Sequence, residues 1–237
     1  MFSAEIEKIL AASWLPVMPP NLALSSAQPL MLLPGVLDEP AVFTCDDTGE
    51  VRLLSNVCTH RGMQVVCEAG AMKRLRCGYH GRRFALDGTL EAAPGFEDAA
   101  DFPRPSDDLP ALHHGTWGPL HFAGISPTVT LQEWAAPLQE FLGFLPLGDF
   151  KLDAEASRDY EVEAHWALYV DNYLEGFHIP TVHKGLARAL DVGAYETQLL
   201  PHGSLQVGIA AEGEPTFELP DHHPLAGQSV AALYIHL

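Results

Sequence analysis

The chain is short of basic residues, of cysteine and of long apolar runs, and each shortage excludes a class of function. Thirteen lysines and arginines stand against 31 aspartates and glutamates, a formal net charge of −18 with histidine neutral. That balance argues against nucleic acid as a partner, whose phosphates are held by basic patches, and predicts a soluble chain. No apolar run reaches the roughly 18 residues of a membrane-crossing helix. The N-terminal stretch MFSAEIEKIL carries acids where a secretory signal has a basic region ahead of an apolar one, so the protein is expected in the cytoplasm with no membrane partner. Only four cysteines occur in 237 residues, and in a reducing compartment Cys45 and Cys67 are expected as packed thiols rather than a disulfide. This length leaves room for one large or two ordinary domains.

What the sequence does contain is two Cys/His pairs, Cys58-x-His60 and, after a gap of 16 residues, Cys77-x-x-His80. Such pairs can hold a two-iron cluster asymmetrically, with thiolates on one iron and imidazoles on the other. Neutral imidazole in place of anionic thiolate leaves less negative charge on the cluster and raises its potential. Gly62 and Gly78 fall where two ligand-bearing turns need positive φ or a close approach of backbone to sulfide. Between Arg52 and Arg83 lie seven of the 13 basic residues and one acid, Glu68, so this segment is locally +6 against −24 elsewhere. A basic surround stabilises an added electron and steers an acidic carrier toward it. Two Cys and two His also suit tetrahedral zinc, although the C-x-H gap is short for a zinc finger.

The segments VCTHRG and RCGYHGRRF resemble the Rieske domain of the Rieske non-haem iron oxygenases, the large subunits of ring-hydroxylating oxygenases and their relatives. One departure is Arg82, where many members carry Trp after the His-Gly pair. From sequence it reads as a surface-loop change that touches no ligand.

The rest of the chain falls into three parts, 1–27, 28–127 and 128–237. Phe2, Ile6, Ile9, Leu10 and Trp14 recur at helical spacing, which predicts an opening helix ended by Pro16, Pro19 and Pro20. Residues 28–127 alternate as short strands between turn signals at Asp47 to Gly49 and at Asp87-Gly88, a small antiparallel β domain with both ligand loops at one end. The acid- and proline-rich stretch 97–110 predicts a solvated connection. Beyond Pro127, longer helical patterns (TLQEWAAPLQEFLGFL and HWALYVDNYLEGFH) precede strands expected over 195–210 and 228–237. The pairs His113-His114 and His222-His223 read as solvated surface residues, since adjacent side chains diverge.

Asp171, Glu175 and His178 stand at i, i+4 and i+7, one face of a helix beginning near His165. His183 is five residues past His178, about 140° away on a continuous helix. Pro180 is expected to end the helix by pushing Ile179 out of the αR region, so that His183 returns toward His178. Two histidines with acids one turn back make a plausible mononuclear iron site, and a capped amphipathic helix with incidental histidines fits the same residues. DNYLEGFHIPTVH resembles the second signature of the same oxygenase family. The resemblance implies that His178 and His183 bind a mononuclear Fe(II) and that Glu175, with Asp171 nearby, takes the place of the bridging acid between that iron and the Rieske histidine of a neighbouring subunit. Glu rather than Asp there resembles the branch acting on choline, glycine betaine and carnitine, and Trp166, Tyr169, Tyr173 and Phe177 could supply a cation–π cage.

A facial triad also needs a carboxylate. In the family it lies far downstream, and of Asp191, Glu196, Glu212, Glu214, Glu218 and Asp221 none matches its position. Only 54 residues follow His183, so the chain is expected to be the N-terminal portion of an oxygenase. The fold class expected is α+β, a β-rich Rieske [2Fe-2S] domain followed by an incomplete helix-grip-like catalytic domain. The resemblance implies electrons passed from NAD(P)H through a ferredoxin or flavin reductase to the cluster at Cys58, His60, Cys77 and His80, then to the iron. There O2 is activated to hydroxylate or demethylate a small aromatic or quaternary ammonium substrate, in a homo-oligomer, a trimer when intact. Two rivals are a plain Rieske electron carrier, which has no use for His178 and His183, and a non-catalytic remnant of the family.

Overall fold

The computed structural model describes residues 2–18, 20–153 and 155–237. The chain divides into two units, Met1–Leu131 and Gln132–Leu237. In the first, α1 (Phe2–Glu5) runs on as a π turn over Ile6–Leu10. The expected helix therefore stops before Trp14. Ser13 Oγ donates to Ile9 O at 2.6 Å and helps close the end. Trp14 turns inward, with Nε1 donating to Val129 O at 3.0 Å. Pro16 lies in a strand, β1 (Leu15–Val17), and Pro19 lies outside the described residues.

Ten strands build this unit: β1, then β2 (Ser26–Leu32), β3 (Glu39–Cys45), β4 (Val51–Ser55), β5 (Gly70–Ala71), β6 (Leu75–Arg76), β7 (Arg83–Phe84), β8 (Leu90–Ala92), β9 (His113–Trp117) and β10 (Leu120–Gly124). They form three antiparallel sheets in the orders β4-β3-β2-β5, β1-β10-β9 and β6-β7-β8. Strand β3 is buried on both faces because its side chains alternate with period two. Ala41 and Phe43 pack with Leu32, Leu53 and Ala123, toward Leu15 and Val17 of β1. Val42 packs the other way with Ala27, Leu54, Leu75 and Phe84, and Cys58 and Cys77 belong to that same cluster. Burying Phe43 or Phe84 contributes roughly 2–3 kcal/mol each. The small sheet β6-β7-β8 is thus anchored to the main core by apolar burial, and the Cys58 and Cys77 thiols are part of that core.

Turn chemistry sets the register. At the β3–β4 turn, Asp46 accepts from Thr48 N, Thr48 Oγ1, Glu50 N and Arg52 Nη1. Arg52, and then Thr48, hold its carboxyl far below the usual carboxylate range. The stretch 97–110 is more than a solvated connection. It contains a 3-10 turn at Pro105–Asp107, buries Leu109 in the core, and returns Asp108 Oδ1 to accept from Leu90 N.

In the second unit, α2 (Leu131–Trp134) and α3 (Ala136–Leu142) lead to α4 (Trp166–Leu174), α5 (Ile179–Val182) and α6 (Lys184–Ala189). An antiparallel sheet follows, β11 (Glu196–Leu200), β12 (Gly203–Ile209) and β13 (Val230–His236), with β12 in the middle. Leu205, Val207, Val230, Leu225 and Phe141 form its core. His223 is not a solvated residue. It is buried, its Nδ1 accepts from Leu225 N and its Nε2 donates to Phe141 O. His114 is half-buried against His121 and Phe43, while His113 and His222 are exposed. All four cysteines are free thiols, and Cys67 is exposed rather than packed. Among the described residues no helix is long and apolar enough to cross a membrane.

Gly88, in the β7–β8 turn, has φ +92°, and a Cβ there would meet Leu109 O at 2.9 Å and the Leu54 methyls at 3.3 and 3.4 Å. Gly95 has a similar φ of +83° with open space around it. Gly95→Ala should cost about 1–2 kcal/mol from the backbone alone, and Gly88→Ala should cost about 1–3 kcal/mol more from overpacking. Urea denaturation of the two variants checks the difference, and equal midpoints would refute the close packing at Gly88.

Candidate metal centres

The two cysteine-histidine loops are built alike. Cys58 N donates to Met63 O at 2.8 Å and Gly62 N donates to Cys58 O at 3.0 Å. In the second loop Cys77 N donates to Arg82 O at 2.9 Å and Gly81 N donates to Cys77 O at 3.1 Å. In each loop the residue four past the cysteine is a left-handed glycine, Gly62 at φ +72° and Gly81 at φ +74°. Gly62 has the positive φ expected from sequence, and Gly78 does not. Its φ is ordinary, and Gly81 is the residue that turns the second loop. A β-carbon in that left-handed conformation costs about 1–2 kcal/mol, which is the physical reason for glycine at both places.

The paired loops bring like donors together. Cys58 and Cys77 are buried at 3% and 2% exposure, with their side chains within hydrogen-bonding reach. Burial pushes the Cys58 thiol up, and the His60 backbone N–H pulls it partly back. His60 and His80 lie with ring centroids 4.7 Å apart at 66°, His80 exposed and His60 half-buried. Among the described residues no three Cys, His, Asp or Glu side chains converge as they would about one metal ion. A thiol pair behind an imidazole pair suits a two-iron cluster, in which each pair serves its own iron, better than one tetrahedral zinc.

Side chains that the sequence did not single out hold the first loop. Asn56 is fully buried, donating Nδ2 to Val66 O at 2.7 Å and accepting from Val66 N at 2.8 Å, so it imitates a paired strand residue. Thr59 Oγ1 donates to Asp107 O at 2.6 Å. Arg82 is not a surface change. It is 5% exposed, and its Nη1 donates to Thr59 Oγ1 at 3.1 Å and to Asp107 Oδ1 at 3.3 Å. An arginine directly after a ligand His-Gly pair, with an acid-rich stretch returning past it, was the available signal.

The second centre lies where α4 gives way to α5. His165 caps α4, accepting from Ala167 N, as the expected start near His165 requires. The helix ends at Leu174, so Glu175 and His178 lie beyond it and do not share its face with Asp171. Glu175 is already extended, at φ −117° and ψ 147°. Gly176 follows, where a Cβ would meet the Tyr195 ring at 2.8 Å. Pro180 does not break the helix. It sits in the first turn of α5, where a missing N–H has no helical partner to lose. His178 and His183 flank α5 as its caps, with ring centroids 5.0 Å apart at 68°. The His178 Nδ1–H donates to a Glu175 carboxylate oxygen, which leaves Nε2 open. That bond, more than any other influence, holds the Glu175 carboxyl below its ordinary range, and Phe177 N donates to its second oxygen.

A cavity of about 310 Å³ lies in the first unit against Phe96 and Phe102, and one of about 300 Å³ opens on the histidine pair. The latter is lined by Tyr173, Glu175, His178, His183, Tyr195 and Tyr234, among others. Asp171 is exposed and does not line it, whereas its neighbour Asn172 does. Of the aromatics expected as a cage, Tyr169 and Tyr173 line the cavity, Trp166 does not, and Phe177 is 92% exposed. Tyr195 and Tyr234 come from the sheet region and carried no signal in sequence. Tyr195 OH donates to Gln206 Oε1 at 2.7 Å, and Gln206 Nε2 donates to Tyr173 O at 2.8 Å. Burial raises the Tyr195 hydroxyl to about 12, so it stays protonated.

Comparison with known proteins agrees with this geometry. The Rieske [2Fe-2S] domain family matches residues 17–103. Choline monooxygenase, chloroplastic, of Amaranthus tricolor is 30% identical over 229 residues, covering 91% of this chain and 49% of that protein. The carnitine monooxygenase oxygenase subunit of Acinetobacter baumannii is 30% identical over 228 residues, covering 92% and 59%. The chain thus spans about half to three-fifths of the length of these relatives. A quaternary ammonium Rieske monooxygenase crystallised with L-carnitine superposes with a TM-score of 0.64 at 27% identity, covering 87% of this chain and 59% of that one. Naphthalene 1,2-dioxygenase from Rhodococcus sp. shares the fold at a TM-score of 0.63 and 22% identity, covering 92% and 54%. With matched Cys/His loops inside a Rieske [2Fe-2S] domain and likeness to oxygenase subunits along nine-tenths of its length, the chain carries a Rieske domain and is similar to the Rieske non-haem iron oxygenases.

Proposed function

We propose that this chain carries the electron-transfer and oxygen-activating centres of an oxygenase component acting on a small quaternary ammonium compound. In this reading Cys58, His60, Cys77 and His80 hold a [2Fe-2S] cluster, and His178 and His183 supply two ligands to a mononuclear Fe(II). The observation that carries it is the pair of matched loops that joins two buried thiols and sets two imidazoles 4.7 Å apart. When bound, the cluster supplies one-electron transfer and the iron supplies O2 activation.

The residues divide the work by exposure and charge. Cys58 and Cys77 sit in the apolar core and exclude water from their side of the cluster, while His80 presents the exposed edge. Arg61, Lys73, Arg76 and Arg83 are exposed around the loops, a basic surface suited to an acidic ferredoxin or flavin reductase fed by NAD(P)H. Glu175 stays ionised, fixes the His178 tautomer through Nδ1–H and leaves Nε2 for metal. In a homo-oligomer, a trimer by family resemblance, it is also the acid that hydrogen-bonds toward the neighbouring subunit's cluster. Tyr173, Tyr195 and Tyr234 offer ring faces beside the histidines, which suit a quaternary ammonium group, a cation with no hydrogen to donate. The choline and carnitine monooxygenase relatives support that substrate class over an aromatic one. Four free thiols fit a reducing cytoplasm.

Chain reconstituted with iron and sulfide and then reduced should give the rhombic EPR signal of a His-ligated two-iron cluster, and Cys58→Ala should abolish it. Tight binding of one zinc with no iron uptake would sink the assignment. In a version extended by a catalytic domain of the relatives' length, Glu175→Gln should leave both centres loaded while slowing single-turnover oxidation of the reduced cluster by about 10- to 100-fold, the usual effect of losing an outer hydrogen-bond partner. An unchanged rate would remove its bridging role. Among the described residues Glu175 is the one acid lining the second cavity, and it is engaged with His178. Titration of this chain with Fe(II) should therefore show weak uptake, since two neutral imidazoles leave the ion short of charge compensation. Stoichiometric tight binding would mean that a local acid completes the site.

A further inference from the structure

Arg82 is the one basic residue among the buried polar and charged side chains of the described residues. Its surroundings compensate it incompletely. The guanidinium has one carboxylate, Asp107, at 3.3 Å, and one hydroxyl, Thr59, at 3.1 Å, both reached through Nη1. The Phe96 and Phe102 rings lie with centroids 5.7 and 5.5 Å from Cζ, and Nε is buried with no hydrogen-bond partner. Burying a charge this way is unfavourable for stability, and an apolar side chain of similar volume would pack against two phenylalanines without that cost. A stability role therefore does not explain the arginine, whereas its place does. Arg82 closes the second ligand loop through its carbonyl, and its side chain reaches Thr59, between Cys58 and His60 of the first.

We propose that Arg82 is a potential-setting residue, its buried guanidinium held behind the first ligand loop by Thr59 and Asp107 so that a fixed positive charge favours the reduced cluster. The inference rests on the cluster reading of the four ligands. The step it acts on is the gain of one electron from an external donor, with no bond made or broken. The reduced cluster carries one more negative charge, and in a site poor in water a nearby cation stabilises it more than the oxidised form. The guanidinium is tied by its hydrogen bond to Thr59, the residue between Cys58 and His60, so its charge is fixed next to both ligands of the first loop.

The sign of the effect provides the test. The 237-residue chain loaded with iron and sulfide is titrated with dithionite at fixed pH, with the cluster followed by visible circular dichroism. Arg82→Met should lower the midpoint potential, Arg82→Lys should stay nearer the parent, and Asp107→Asn, which removes the opposing charge, should raise it. A merely structural network would move Arg82→Met and Asp107→Asn in the same direction, and that result overturns the proposal, as does an unshifted midpoint in either. Should Arg82→Met fail to assemble a cluster, the Asp107→Asn shift decides. A parent chain that assembles no cluster removes the site reading itself, a different outcome from a loaded cluster whose potential does not move.

Discussion

The structure of the first unit depends on one constraint, that two loops from different strands must present their donors to a common point. Each loop is closed by the same two backbone hydrogen bonds, cysteine N–H to the carbonyl five residues on and cysteine C=O from the N–H four residues on. A closed loop of that size needs a left-handed residue at the fourth place, and glycine occupies it in both. The loops are then tied to the sheets of the first unit by different means. Cys58 and Cys77 are packed into the apolar cluster with Val42, Leu54 and Phe84, and Asn56 fastens the far side of the first loop to Val66.

Polarity changes across that site. The thiols face core and the imidazoles face outward, so the charged inorganic group implied by the donors has a dry side and a wet side. Arg82 stands on the dry side with a single long ion pair. The long stretch 97–110 supplies Asp107, Asp108 and Leu109 to the same region, which explains why so acidic a segment is held in place.

The second unit solves a related problem with less structure. Two histidines five residues apart are presented by capping a one-turn helix at both ends, and the carboxylate that orients one of them lies in extended backbone just before it. Tyrosines from neighbouring segments close the cavity. The proposed metal-binding pair and the tyrosines beside it are the basis for proposing a cationic substrate.

The sequence by itself determined which residues are candidate donors, and the elements that follow short-range rules. Cys58, His60, Cys77, His80, His178 and His183 stood out as candidates because ligand spacing is a local property, and the hairpins at Asp47 to Gly49 and Asp87-Gly88 because turn chemistry is local too. What periodicity could not supply was where a helix stops when no proline is needed to stop it, as at Leu174, or that Pro180 begins a helix instead of ending one. Burial was equally out of reach. Arg82, His223 and Asn56 are polar residues whose partners lie far along the chain, Arg82 with Asp107, His223 with Phe141 and Asn56 with Val66. A polar side chain is buried only where such partners satisfy it, and only the tertiary structure brings them within reach.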